Sequence, residues 1–195
     1  SEILLEQVNE ALDITRIETG QLQFTAQDFA LTDLMEGLID VFEPLAHEKD
    51  LSLTLDIEPA MRGPYHADAG RIRQILTNLI GNAIKFTEKG RILVRVSGIH
   101  GQEASSLRFE ISDTGIGIPK NQQGQILEAF QQAHTGIARQ FGGTGLGLGI
   151  VVRILELMNS ELHIESEPGI GSCFHFSLRL PLHQSLKNED AGEDN

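Results

Sequence analysis

The run GGTGLGLGI at Gly142–Ile150 leads straight into an apolar helical pattern, Ile150, Val151, Ile154, Leu155 and Met158. Glycines take φ > 0 at no steric cost and let a backbone come close to a ligand. A helix start adds unpaired N–H groups and a partial positive charge, which favours an anion such as the phosphate tail of a nucleotide. Tight packing against another element would use the same residues, and the run alone does not choose between the two. It lacks the Gly-Lys-Ser/Thr closure of a Walker loop and the spacing of a dinucleotide fingerprint. Two further segments narrow the choice.

ADAGRIRQILTNLIGNAIKFT, Ala67 to Thr87, predicts a helix. Ile72, Ile75, Leu76, Leu79, Ile80 and Ala83 repeat at helical spacing and make a buried face. Arg71, Gln74, Asn78, Asn82 and Lys85 form a second stripe, its centre roughly 130° around the helix from the first. A solvated polar edge would look similar. Two asparagines one turn apart are nevertheless poor helix formers, costing a few tenths of a kcal/mol each against alanine. An amide oxygen can bind a hard cation, and magnesium keeps most of its waters, so one or two protein oxygens suffice. Lys85 would offer a point charge to phosphate. A functional stripe fits better.

In FEISDTGIGIP, Phe109 to Pro119, the alternation of Phe109, Ile111 and Asp113 predicts a strand whose inward face ends in a carboxylate. Gly115 and Gly117 open a turn where the chain can lie against a flat ligand. An ionised carboxylate only accepts hydrogen bonds, so a buried Asp113 needs a donor such as the exocyclic amine of adenine. An ordinary Asp-Thr-Gly turn is the plain alternative.

Taken together, the three segments resemble the asparagine box and two glycine boxes of sensor histidine kinases, within the wider ATPase superfamily of gyrase B and the mismatch-repair ATPases. LEAFQQ at Leu127–Gln132 resembles that family's phenylalanine box, and EPGIGSCFHFSLRLPL its C-terminal strands. LLEQVNEALDITRIETGQLQF resembles the end of the second dimerisation helix. The resemblance implies a role for each matching residue. Asn82 is the magnesium ligand and Asn78 its neighbour; Lys85 contacts phosphate, and Phe86 packs over the nucleotide. Asp113 reads adenine, with Gly115, Gly117 and Ile118 shaping that wall and Ser172 holding water beside it. Phe130 starts a mobile lid, from Gln131 to Phe141, that carries the basic Arg139. Gly143, Thr144, Gly145, Leu146, Gly147 and Leu148 surround the phosphates. Catalytic charge neutralisation falls to Asn82, Lys85 and Arg139.

Several positions depart from the pattern. Ala129 and Ala69 stand where prolines are common, and His134, Gly136, Ile137 and Ala138 replace lid residues that are usually acidic or hydroxylated. These changes bear on lid closure more than on nucleotide binding. The family's phosphoacceptor box reads roughly Ser-His-Glu-φ-Arg-Thr-Pro, and none of the seven histidines here is followed by it. The chain therefore reads as the ATP-handling half of a two-part machine.

With 40% apolar residues and no apolar run long enough to span a bilayer, the expectation is a soluble piece. A lone Cys173 cannot form an internal bridge, which points to a reducing cytoplasm; the resemblance is compatible with a parent that is an inner-membrane sensor. A net charge of −13 argues against nucleic acid as a partner, which would need a basic footprint. The domain reading is residues 1–20 as the end of the dimerisation helix, 21–183 as the ATP-binding domain, and 184–195 as a disordered tail. Leu5, Val8, Leu12 and Thr15 give the first segment a short helical seam.

Inside the domain a helix is predicted over Leu31–Glu48, with strands at Leu51–Ile57, Ile92–Ile99, Leu107–Ser112, Leu162–Ser166 and Ser172–Leu180. The fold class is α/β, a two-layer sandwich of a mixed sheet with helices on one face. The resemblance implies phosphoryl transfer from Mg–ATP to a histidine and on to a response-regulator or receiver-domain aspartate, with a homodimeric parent. Two alternatives remain: an inactive nucleotide-binding module acting through a partner kinase, and an ATP-driven dimer clamp. The clamp should carry a general-base glutamate one turn before the nucleotide asparagine; Asn78 occupies that place.

Overall fold

The computed structural model describes residues 22–131 and 146–183. The seam at 1–20, most of the lid and the tail 184–195 lie outside the described residues. Among the described residues, seven strands and four α-helices follow in the order β1 (Gln27–Ala30), α1 (Leu31–Glu48), β2 (Leu51–Ile57), β3 (Pro64–Ala67), α2 (Ala69–Phe86), β4 (Gly90–Ile99), β5 (Ala104–Asp113), α3 (Lys120–Gln131), α4 (Leu146–Leu157), β6 (His163–Glu167) and β7 (Gly171–Pro181). A 3-10 turn at Pro59–Met61 joins β2 to β3.

The five long strands form one mixed sheet in the order β2-β4-β5-β7-β6, with β2 and β4 parallel and the other neighbours antiparallel. A parallel pair needs a crossover, and the segment through α2 supplies it. Strand alternation decides which face is covered. Val94, Ile111, Phe174 and Ile164 lie in one cross-strand row, and this row faces the helices. The next row, Arg95, Glu110, His175 and His163, lies on the open face, where Arg95 pairs with Asp56 and Arg108 with Glu110. The sandwich thus has two layers, with helices on one side.

Period fixes the helical layer. In α1 the buried residues are Leu31, Leu34, Met35, Leu38, Phe42 and Ala46, at spacings of three and four. In α2 they include Ile72, Ile75, Leu76, Leu79, Ile80 and Ala83, the face read from the sequence. Phe109 and Phe176 stack beneath, with ring centroids 5.0 Å apart. No described helix is long and apolar enough to cross a membrane. Cys173 is half-buried on β7, and burial pushes its thiol above the ordinary value, as for an unreactive cysteine.

Several element boundaries differ by up to three residues from the sequence reading. Ala67, read as helical, ends β3 instead; Asp68 caps α2 by accepting the Arg71 N–H at 3.0 Å. The polar loop between β4 and β5 is shorter than expected, because the strands run from Gly90 to Ile99 and from Ala104 to Asp113.

The small β1–β3 ribbon is absent from the sequence reading. It sits where the described chain begins and ends. Asp28 on β1 holds His66 of β3 at 2.7 Å with one oxygen and His183 at 2.7 Å with the other. Tyr65 bridges to Leu182 on the far side of β3.

Candidate functional site

Asp113 is the last residue of β5, on the inward parity that also buries Phe109 and Ile111. One carboxylate oxygen accepts the Gly115 N–H at 2.8 Å. Burial pushes the carboxyl above its ordinary value, against the pull of the Gly115 and Ser172 backbone N–H groups. Two backbone donors leave part of its acceptor capacity open, since an ionised carboxylate has about four lone-pair sites. Ser172 lies directly across the ladder from Asp113 and is buried.

The turn after β5 is pinned from three directions. Ile116 N–H donates to the Phe86 carbonyl at the end of α2 (3.3 Å), and Gly169 N–H donates to the Ile116 carbonyl (2.8 Å). Ile118 N–H donates to Ser166 Oγ at 2.7 Å. Gly117 has φ +68°, a left-handed conformation, and a Cβ there would run into the Glu167 carbonyl oxygen. The glycine is therefore required by the turn's contact with the β6–β7 hairpin.

On α2 the polar stripe runs up toward the same place. Asn78 donates its amide back to the Gln74 carbonyl at 3.1 Å. Its Oδ1 occupies the space that a Cβ on Gly147 would fill, so the first turn of α4 meets the asparagine stripe here. Asn82 is half-buried one turn further along. Lys85 is exposed in the last turn, with Nζ 5.2 Å from the centroid of the Phe86 ring, which is itself exposed.

Leu148 is buried in the core, so only its backbone can face a ligand. Phe130 falls within α3, and Leu146 opens α4. Arg139, Gly143, Thr144 and Gly145 lie outside the described residues. The three sequence segments thus converge: the end of β5, the stripe of α2 and the start of α4.

Sequence reasoning missed three residues that build this region. Lys49 caps the C-terminal end of α2, its Nζ donating to the Ile84 carbonyl at 2.8 Å. Gln123 in the first turn of α3 donates to the Ile118 and Ser166 carbonyls, both at 2.8 Å. Ser166 joins Ile118, Gly171 and Ser172. Ser166 had a readable signal, a hydroxyl at the inward parity of β6 beside Ile164; Gln123 and Lys49 carry none.

No cage of three or more His, Cys, Asp or Glu side chains able to hold a metal occurs among the described residues. A magnesium ion here would need few protein ligands. The half-buried Asn82 amide fits that requirement, because magnesium is commonly held by one or two protein oxygens together with substrate phosphates and water.

Residues 67–183 match the family model described as histidine kinase-, DNA gyrase B-, and HSP90-like ATPase. The chain is 41% identical over 187 residues to the sensor protein GacS of Pseudomonas syringae pv. syringae, covering 95% of this chain and 21% of that protein. It is 35% identical over 187 residues to the sensory/regulatory protein RpfC of Xanthomonas campestris pv. campestris, covering 95% of this chain and 26% of that protein. It thus spans about a quarter or less of these relatives. Among solved structures, full-length ShkA in complex with AMPPNP superposes with a TM-score of 0.78 at 32% identity, over 92% of this chain and 36% of that one.

Proposed function

The chain belongs to the histidine kinase-, DNA gyrase B- and HSP90-like ATPase family, and from that membership we propose that it is the ATP-binding catalytic domain of a sensor histidine kinase. In this reading it gives the γ-phosphoryl group of Mg–ATP to a histidine on a dimerisation helix, for relay to a receiver-domain or response-regulator aspartate. A homodimeric parent and a cytoplasmic setting belong to the same proposal.

The observation that carries the reading is Asp113. It is a half-buried carboxylate beside Ser172, with acceptor capacity left after its backbone bonds. A flat ligand with an amino group meets that need. The AMPPNP complex of the structural neighbour ShkA supports the same ligand class.

Phosphoryl transfer asks a protein for positioning and charge neutralisation more than for covalent chemistry. Asn82 would hold magnesium, which when bound offsets phosphate charge. Lys85 sits on the same stripe and supplies a point charge toward the phosphates, while Phe86 offers an aromatic face. Gly147 and the backbone of Leu148 lie in the first turn of α4, where unpaired N–H groups favour an anion. Arg139, Gly143, Thr144, Gly145 and Leu146 enter through sequence resemblance alone.

Calorimetry with and without magnesium tests the assignment of Asn82. Asn82→Ala is expected to remove most of the magnesium-linked gain in ATP affinity while leaving weak metal-free binding. An unchanged magnesium dependence would make the α2 stripe a solvated edge.

A second expectation concerns labelling. Effective transfer needs the reacting atoms held within about 3–3.5 Å, and none of the seven histidines sits in an acceptor-box sequence. Incubated with γ-labelled ATP and magnesium, the chain should bind nucleotide and stay unlabelled. Acid-labile phosphohistidine formed on it would overturn this division of labour.

A further inference from the structure

Ser166 Oγ has three neighbours at hydrogen-bond distance: Ile118 N at 2.7 Å, Gly171 O at 2.8 Å and Ser172 Oγ at 2.8 Å. A hydroxyl has one hydrogen and two lone pairs. The Ile118 N–H can only donate, so it takes one lone pair. The Gly171 carbonyl can only accept, so it takes the hydrogen. One lone pair remains, and the Ser172 hydroxyl must donate into it.

That assignment fixes the polarity of Ser172. With its hydrogen committed to Ser166, Ser172 has only lone pairs to offer anything else. Its cross-strand partner is Asp113, which when ionised is also an acceptor only. Two adjacent side chains on one face of the sheet therefore demand donors. The arrangement is held rigidly, because Gln123 Nε2 donates to the carbonyls of both Ile118 and Ser166, the two residues joined by the Ser166 bond.

We propose that Ser166 is a specificity-determining positioning residue. By directing the Ser172 hydroxyl it makes the wall beside Asp113 accept only, selecting a purine with a 6-amino group over one with a 6-oxo group. The inference rests on the reading of this site as a nucleotide site. A 6-amino group brings two N–H donors to the wall; a 6-oxo group would set an acceptor against acceptors. Without the Ser166 hydroxyl, the Ser172 hydrogen is free to turn and donate to a 6-oxo group.

The test compares dissociation constants of Mg–ATP and Mg–ITP on the full chain, since these nucleotides differ only in the 6-substituent and in the N1 hydrogen that accompanies the 6-oxo form. The wild-type chain should prefer ATP. Ser166→Ala should narrow the ATP/ITP ratio by roughly tenfold, the usual scale for one buried hydrogen bond to a charged or mispaired partner. Ser166→Thr, which keeps the hydroxyl, should retain the wild-type ratio. Ser172→Ala, which removes the directed acceptor, should narrow it too and serves if Ser166→Ala does not fold.

A role confined to stability would weaken both nucleotides by one factor and leave the ratio unchanged. That result in Ser166→Ala and Ser172→Ala, with a selective wild type, overturns the inference and leaves the nucleotide reading standing. A wild-type chain that binds both equally overturns the inference and the assignment of Asp113 while the site remains a nucleotide site; one that binds neither overturns the two readings together.

Discussion

The Asp113→Asn variant is expected to bind ATP roughly ten- to a hundredfold more weakly, the equivalent of about 1.5–3 kcal/mol for a buried charged hydrogen bond. The amide can turn an NH2 toward the adenine amine, donor against donor. Preference for ATP over GTP should shrink with it. The fold should not suffer. Burial raises the Asp113 carboxyl above the ordinary carboxylate value, so folding favours the protonated form. Whatever that group contributes to stability is present at low pH and lost as pH rises through its folded-state pKa. Above that pKa the ionised carboxylate is a cost that asparagine removes, so the variant should melt no lower than the wild type there. The pH dependence of binding has the opposite sense: ATP affinity of the wild type should fall as pH drops through the raised value. Equal affinity of the wild type for ATP and GTP in calorimetry would sink the assignment of Asp113.

Gly117→Ala is expected to cost about 2–4 kcal/mol of stability, placing it among the larger single-residue effects. The position is left-handed at φ +68°, and the added Cβ would meet the Glu167 carbonyl, a backbone atom that cannot swing aside. For a domain of this size the melting temperature should drop by roughly 5–15 °C. Gly169→Ala is the matched control. It has φ +76°, but a Cβ placed there has nothing within 4 Å, so only the backbone strain of about 1–2 kcal/mol applies. Thermal melts that give the two variants equal losses would remove the steric argument. Gly117→Ala should also weaken ATP, because the same turn carries Ile118 to its bond with Ser166.

How far the sequence carried depended on how far periodicity reached. The buried face of α2 and the Phe109–Ile111–Asp113 parity are long, regular patterns, and the structure follows both. β1 and β3 have four residues each, too few for alternation to speak, and β3 opens on Pro64. Their pairing is set by tertiary neighbours. The glycine run posed a different difficulty. Gly147 faces Asn78 closely, so the packing and phosphate readings left open by the sequence are not rivals: close packing of α4 on α2 brings the asparagine stripe to the helix start. Ser166 and Gln123 act through single hydrogen bonds between elements distant in sequence, which no spacing rule encodes.

The β1–β3 ribbon has a consequence for how such a module can be carried by other proteins. The chain arrives along β1 on one side of β3 and departs past Leu182 on the other. Neighbouring strands lie about 4.8 Å apart, so the two attachment points are separated by roughly 10 Å. A unit mounted by one corner in this way can be spliced into a surface loop of an unrelated host with short connectors. The host would see a bulky graft on two close stems, while the mixed sheet and the Asp113 wall remain untouched by the join. Graft acceptance should then depend on Asp28 of the entry stem, whose carboxylate holds the exit stem at His183 and the strand between them at His66.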